Sequence, residues 1–219
     1  FPKFCLLQIA STDHTACIDP LAIEDLDPLF EILYNPGITK VFHSGRQDME
    51  IFYNLRGCLP GPVFDTQIAA PLMGFNEQIG YAALVSEVLG VDLGKAHTRT
   101  DWSQRPLSQA QINYASDDVI YLGQVYLKMR EQLSSLERLD WLIGDFAALL
   151  DSNLYQNPPE KAWKRIRAAQ RLNGESLSIL QALAHWREET AHSSNRPRNW
   201  IIKDEVLVCI ARLKPSQTE

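Results

Sequence analysis

The chain has 219 residues with the ordinary composition of a globular protein, which is enough material for one large domain or two. Its formal net charge of −6 excludes a protein that coats nucleic acid by charge alone, but permits an enzyme that meets phosphates through metal ions. No stretch approaches the roughly 18 apolar residues of a membrane span, and the four scattered cysteines predict reduced thiols in a cytoplasmic protein.

The first part of the chain alternates predicted strands and predicted helices. Apolar runs predict strands at 4–10, 15–18, 38–43 and 63–66. Amphipathic patterns and turn residues predict helices at 25–34, 46–55, 67–73 and 81–89. A polar loop (92–107) then leads into a helix (109–130), for which Ser108 is the predicted N-cap and Gln111 completes a capping box. This alternation predicts an α/β layer fold.

The second part of the chain is predicted to be helical. One further helix is predicted at 136–150, and a run rich in Asn and Pro (151–159) marks the predicted domain boundary. Beyond the boundary, helices are predicted at 161–171, 175–192 and 203–213. We therefore expect three regions: a first domain at 1–150, a linker with a basic helix at 151–170, and a partial helical domain at 171–219.

The predicted basic helix concentrates positive charge around Trp163. Its basic residues, with no acid among them, are Lys161, Lys164, Arg165, Arg167 and Arg171. Two interpretations are open: a solvated helix face, or a strip that contacts a phosphate backbone with Trp163 as a stacking platform.

Two carboxylates are predicted to lie beside apolar helix faces. Tyr114 and Asp118 are four residues apart, so they share one face of their helix, whereas Asp117 falls on a more polar row. Asp48 follows the strand at 38–43. Ligand-binding sites in α/β sheets commonly lie at the carboxyl ends of the strands. A carboxylate next to a core-facing row needs either an ion-pair partner or a metal ion. From these residues alone, a structural salt bridge and a metal site both stay open.

Three blocks of sequence resemble the ribonuclease D family of 3'-5' exonucleases, the tyrosine branch of the DEDD group. They are Phe-Cys-Leu-Leu-Gln-Ile at 4–9, His-Ser-Gly-Arg-Gln-Asp-Met-Glu-Ile-Phe at 43–52, and Arg-Thr-Asp-Trp-Ser-Gln-Arg-Pro-Leu-Ser at 99–108 followed by Tyr-Ala-Ser-Asp-Asp at 114–118. The last block is the most specific, because the family's Asp-Trp-x-x-Arg-Pro-Leu precedes Tyr-x-x-x-Asp. The segment 180–211 resembles the first half of the helical, nucleic-acid-binding domain found at the C-termini of ribonuclease D and RecQ-type helicases.

The resemblance implies a fold and a reaction. The expected fold is a ribonuclease H-like exonuclease domain, a mixed sheet flanked by helices, followed by a partial all-α domain. The expected reaction is two-metal-ion hydrolysis at RNA 3' ends, for instance those of tRNA precursors, with Mg²⁺ or Mn²⁺. Asp48 and Asp118 would be metal ligands, and Tyr114 would orient the attacking water. Further expected substrate contacts are His43, Arg99, Trp102, Arg105, Lys164 and Arg165. For Trp102 the alternative is a structural role, in which its side chain packs in the hydrophobic core.

One family motif does not occur in the chain. The motif Asp-x-Glu belongs on an opening strand, which we expect upstream of Phe1, where it would supply two more carboxylates and the central strand. Residues 1 to 219 alone are therefore expected to be inactive. The alternative is a catalytically dead nuclease fold that binds nucleic acid. A nucleotide-binding enzyme is disfavoured, because the chain has no glycine-rich phosphate loop.

Overall fold

The computed structural model describes residues 4–93, 100–156, 158–194 and 196–215. The predicted contact residue Arg99 lies outside these described residues. The chain divides into two compact units, an N-terminal unit that ends at Tyr155 and a C-terminal unit that begins at Gln156. Within the part of the chain that is described, no helix has the length and apolar character needed to cross a membrane.

Among the described residues of the N-terminal unit, four short strands form two pairs. The strands are β1 (Leu7–Ala10), β2 (Thr15–Ile18), β3 (Lys40–Phe42) and β4 (Val63–Asp65). β1 and β2 pair antiparallel, with Leu7 opposite Ile18. β3 and β4 pair parallel, with Phe42 opposite Asp65. Both pairing directions of a mixed sheet therefore occur, but among the described residues the two pairs are separate.

In the described part of this unit, six α-helices accompany the strands. They are α1 (Asp27–Leu33), α2 (Arg46–Arg56), α3 (Thr66–Ala69), α4 (Tyr81–Leu89), α5 (Gln109–Ser135) and α6 (Ile143–Leu149). Short 3₁₀ helices add Ala70–Met73, Leu139–Leu142 and Ser152–Leu154. The predicted capping box begins α5: the Gln111 N–H donates to Oγ of Ser108 (3.3 Å), and the Ser108 N–H donates to Oε1 of Gln111 (2.8 Å). These two bonds satisfy backbone donors that a helix start leaves unpaired.

The helix predicted at 136–150 is not continuous. Glu137 takes a left-handed backbone conformation with a φ of 55°. A 3₁₀ turn over Leu139–Leu142 then precedes α6. The turn lets Leu142 join the core, where it is 1% exposed. Burial of an apolar side chain stabilises the folded state by about 1.5–3 kcal/mol, which exceeds the cost of one left-handed residue. We therefore attribute the break in the helix to tertiary packing.

The core of the N-terminal unit is built around α5. Its buried side chains Val125, Met129 and Leu133 pack in one cluster with Phe64 of β4 and Leu84 of α4. A second buried cluster joins α1 and α2 through Leu29, Phe30, Leu33 and Phe52. Because α5 also contacts β1, β2 and β3, one row of its side chains lies beside the ends of these strands.

The C-terminal unit consists of helices. They are α7 (Gly174–Ser193), α8 (Arg198–Ile201) and α9 (Asp204–Leu213), preceded by 3₁₀ helices at Pro159–Arg165 and Arg167–Arg171. The prediction of one basic helix over 161–171 is wrong, because Ile166 between the two 3₁₀ helices has an extended backbone (φ −86°, ψ 106°). Ile166 is 2% exposed and packs in a cluster with Leu180 and Leu207. The helix is therefore interrupted at the residue whose side chain is buried in this cluster.

Candidate active site

Asp48 is positioned by a tight turn between β3 and α2. The turn passes through Ser44, which has a φ of 59°. It then passes through Gly45, where an added Cβ would lie 2.7 Å from Cβ of Phe42. Such an approach excludes a side chain, so the sequence needs glycine here. The turn sets the direction in which α2 begins and thereby places Asp48 in its first turn.

Asp65, at the end of β4, holds this turn in place. Its buried carboxylate accepts hydrogen bonds from the backbone N–H groups of Ser44 (3.0 Å) and Gly45 (2.7 Å). It also caps α3 by accepting from the N–H groups of Gln67 (2.8 Å) and Ile68 (3.3 Å). Asp65 was not among the predicted site residues. The available signal was an acid at the end of a predicted buried strand.

Tyr114 and Asp118 share the face of α5 that lines the cleft. The Tyr114 ring stacks on Trp102, with 6.3 Å between centroids and 23° between planes. Burial raises the pKa of Tyr114, and the neighbouring Asp118 carboxylate raises it further. The hydroxyl therefore stays protonated at neutral pH and keeps a proton to donate. The structure thus places Trp102 against Tyr114, which shares the cleft lining with Asp118.

Asp48 and Asp118 are two carboxylates for which the described residues supply no compensating cation. Burial raises the pKa of both to about 6, and the charges of Asp65 and Asp117 raise the pKa of Asp48 and Asp118, respectively, further. By surface area Asp48 is nevertheless exposed and Asp118 is half-buried, so both carboxyls are accessible to solvent. Neither side chain forms an ion pair within the described ranges. A divalent cation would stabilise two such carboxylates in one cleft.

These side chains line one cleft of about 410 Å³. Its lining residues are Leu7, Gln8, Val41, Phe42, His43, Asp48, Phe52, Tyr81, Tyr114, Asp118, Val119 and Leu122. None of them is a lysine or an arginine, so the cleft is acidic. Asp48 and Asp118 fit the oxygen-ligand chemistry of Mg²⁺ or Mn²⁺. No group of three or more His, Cys, Asp or Glu side chains suited to a metal ion occurs among the residues that the structure describes.

His43 lies in the cleft wall and is held in one orientation. Its Nδ1 lies 2.9 Å from Oγ1 of Thr66, and that hydroxyl donates to the carbonyl oxygen of Phe42 (3.1 Å). Because the Thr66 hydroxyl donates to Phe42, we assign the imidazole proton to Nδ1; the buried Nε2 has no hydrogen-bond partner among the described residues. Burial lowers the pKa of His43, partly offset by the Asp65 charge and the Ile79 carbonyl. The ring is therefore neutral at pH 7.

Tyr81, at the start of α4, is a site residue that no sequence pattern predicted. Its hydroxyl donates to the backbone carbonyl of Asp117 (3.2 Å), and its ring packs 5.6 Å from the His43 ring. Burial raises its pKa, and the charges of Asp118 and Asp117 add to this effect. Tyr81 thus connects α4 to the turn of α5 that presents Asp118.

Arg105 is fully occupied by contacts within the protein. Its guanidinium binds both carboxylate oxygens of Asp19 at 2.6 Å. The remaining N–H groups donate to the carbonyls of Trp102 (2.9 Å), Gln104 (2.7 Å) and Cys5 (2.6 Å). All five donors are used, which leaves none for a phosphate. In place of the expected substrate contact, Arg105 ties the loop before α5 to the β1–β2 region.

The other two predicted contact residues lie in the C-terminal unit. The Lys164 ammonium lies 5.8 Å from the centre of the Trp163 ring. Arg165 forms an ion pair with Glu188, with 3.1 Å between Nη2 and Oε2.

Comparison with known proteins places this site in a family. Residues 1–134 match the family described as 3'-5' exonuclease, and residues 176–219 match the HRDC domain. Ribonuclease D of Sphingobium indicum is 48% identical over 221 residues, which cover 100% of this chain and 57% of that protein. The chain thus spans little more than half the length of this curated relative.

Two solved structures support the same grouping. Escherichia coli RNase D, described as an exoribonuclease involved in structured RNA processing, is 37% identical with a TM-score of 0.91, covering 97% of this chain and 56% of that one. Brucella melitensis NrnC with bound Mg²⁺ is 31% identical with a TM-score of 0.61, covering 68% of this chain and 75% of that one. The fold, the cleft and the family match agree: this chain belongs to the 3'-5' exonuclease family, and within it resembles ribonuclease D.

Proposed function

We propose that the protein is a metal-dependent exoribonuclease that removes nucleotides from RNA 3' ends by phosphodiester hydrolysis. The observation that carries the proposal is that Asp48 and Asp118, which form no ion pair among the described residues and have raised pKa values, share one cleft with the Tyr114 hydroxyl. The cleft volume of about 410 Å³ lies within the range of small-molecule sites. It can therefore receive the terminal part of a strand.

Each side chain has a separate role in this proposal. Asp48 and Asp118 would hold divalent cations, Mg²⁺ or Mn²⁺. When bound, such ions supply Lewis acidity and neutralise charge on the phosphate. Tyr114 uses its protonated hydroxyl to orient the attacking water. Trp102, stacked on Tyr114, restricts the orientation of that ring. Asp65 and Tyr81 act as positioning residues for Asp48 and Asp118.

The substrate class follows from the relatives and from the second unit. Escherichia coli RNase D is described as acting in structured RNA processing, and the C-terminal unit contains an HRDC match. We therefore propose structured RNAs such as tRNA precursors as the substrate. All four cysteines are free thiols, which supports a cytoplasmic location.

Activity can be tested with protein expressed from the complete gene. The substrate is a 5'-labelled single-stranded RNA, offered once with a free 3' hydroxyl and once with a blocked 3' end. We expect a ladder of shortened products from the free end only, abolished by EDTA and restored by Mg²⁺ or Mn²⁺. Binding of RNA without any shortening would instead favour the catalytically inactive nuclease fold.

A further inference from the structure

A groove in the C-terminal unit is lined by arginines. It has a volume of about 610 Å³ and lies between the two 3₁₀ helices and α9. The guanidinium-bearing residues in its wall are Arg165, Arg167, Arg171 and Arg212. We propose that this groove binds the phosphodiester backbone of single-stranded RNA. The choice of RNA as the ligand rests on the proposed function, whereas the binding of a phosphate chain is inferred from the side chains of the groove wall.

Three of the four arginines are available to a ligand. Arg167, Arg171 and Arg212 are exposed, and none forms an ion pair within the part of the chain that the structure describes. One of the two acids in the wall, Asp204, is neutralised by the buried Arg187, with 2.6 Å between Oδ1 and Nη1. The other acid in the wall is Glu205. Three guanidinium groups therefore face one uncompensated carboxylate, in a protein whose net charge is −6.

The break at Ile166 gathers the arginines in one wall. Residues two apart on an α-helix point to different sides, so one continuous helix would separate Arg165 from Arg167. The extended backbone at Ile166 buries that side chain while both flanking arginines line the groove. The extended backbone at Ile166, which interrupts the predicted helix, thus also brings the arginines together in one wall.

The chemistry of the wall fits a phosphate chain. A guanidinium offers a planar fork of N–H donors that matches two oxygens of one phosphate. Leu213, which is 74% exposed, supplies apolar surface in the same wall, against which sugar and base can pack. Arg165–Arg171 precede the matched HRDC segment, so half of the groove lies outside that domain.

The test measures RNA binding without catalysis. Anisotropy of a labelled 20-nucleotide single-stranded RNA is recorded in EDTA with full-length protein, so the result does not depend on turnover. The groove variant is Arg171→Ala with Arg212→Ala. The matched control is Arg196→Ala with Lys203→Ala, which removes the same charge from exposed positions of the same unit outside the groove wall.

We expect the groove variant to weaken binding on the order of tenfold and to reduce the salt dependence by about 0.7 for each phosphate that is no longer neutralised. The control should bind RNA like the parent protein. A third variant, Arg171→Lys with Arg212→Lys, keeps the charge and should retain the salt dependence while losing part of the affinity.

Two outcomes would overturn the proposal. One is equal RNA affinity and equal salt dependence in groove and control variants of matched melting temperature. The other is a groove variant that binds RNA normally but loses affinity for an oligoglutamate peptide, which would assign the groove to an acidic protein segment. An inactive enzyme with intact groove-dependent binding would leave this proposal standing and count only against the exonuclease.

Discussion

At the residue scale, the site depends on side chains whose neighbours restrict both charge and orientation. Tyr114 illustrates this, because burial and the Asp118 carboxylate both raise its pKa while Trp102 stacks on its ring. The ring is held and the hydroxyl keeps its proton. These two conditions are what a group that orients water requires.

Replacing Tyr114 with Phe removes only the hydroxyl. We expect kcat to fall by at least about tenfold with little change in KM, because the water loses its orienting group while RNA keeps its other contacts. Steady-state kinetics on a short single-stranded RNA measure both constants. An unchanged kcat with a raised KM would make Tyr114 a binding residue.

The raised pKa of Asp118 predicts a pH-dependent stability of the metal-free protein. The folded value of about 6 lies above the reference value of 3.8, so the folded state holds the proton more tightly. The stability that this group contributes is present below pH 4 and is lost as the pH rises through 6. In EDTA at pH 7.5, Asp118→Asn should therefore melt at a higher temperature than the parent protein.

At pH 4.5 that difference in melting temperature should shrink, since the parent carboxyl is then protonated as well. Thermal melts of both proteins at the two pH values measure it. A difference that does not change with pH would show that the carboxyl is not poorly hydrated.

At the element scale, local patterns predicted where several elements begin, and tertiary packing decided where others break. The capping box of Ser108 and Gln111 begins α5 as predicted, because its hydrogen bonds are local. The breaks at Glu137 and Ile166 were not predictable, since each depends on burial against distant helices. Tyr81 likewise becomes a site residue only because α4 packs against α5.

The site itself was partly predictable. The i, i+4 spacing put Tyr114 and Asp118 on one face, and both line the cleft. Nothing in the local sequence shows that Arg105 would use all its donors within the protein, because its partners Cys5 and Asp19 are 100 and 86 residues away along the chain. Long-range partners of this kind cannot be inferred from local spacing.

Asp65 joins two elements, so its replacement should affect both. In Asp65→Asn a single amide oxygen replaces a carboxylate that accepts four backbone N–H groups. We expect a loss of about 2–3 kcal/mol in the free energy of unfolding, since buried donors are left unpaired. Turnover should fall as well, because the turn that presents Asp48 loosens.

The matched control is Asp151→Asn, at an exposed cap that accepts from the Asn153 backbone. It should change the free energy of unfolding by less than about 1 kcal/mol. Urea unfolding compares the two variants. Equal losses in both would mean that Asp65 is an ordinary cap.

At the scale of the whole molecule, charge is distributed by unit. The N-terminal unit presents an acidic cleft without lysine or arginine in its lining, which suits cations. The C-terminal unit presents a groove with arginines in its wall, which suits phosphates. Under the proposed function, a protein with a net charge of −6 would bind a polyanion through the local chemistry of each unit and not through its overall charge.

The central claim is that Asp118, and not its neighbour, is part of the exonuclease centre. The most direct measurement compares Asp118→Asn with Asp117→Asn in protein from the complete gene, by Mg²⁺-dependent shortening of a 5'-labelled RNA. Asp118 lines the cleft, whereas the Asp117 side chain is exposed and only its carbonyl is used by Tyr81. We expect Asp118→Asn to lose at least about 100-fold in rate, as for a disrupted metal site, and Asp117→Asn to stay within about twofold. Comparable losses in the two variants, with equal melting temperatures, would contradict the assignment.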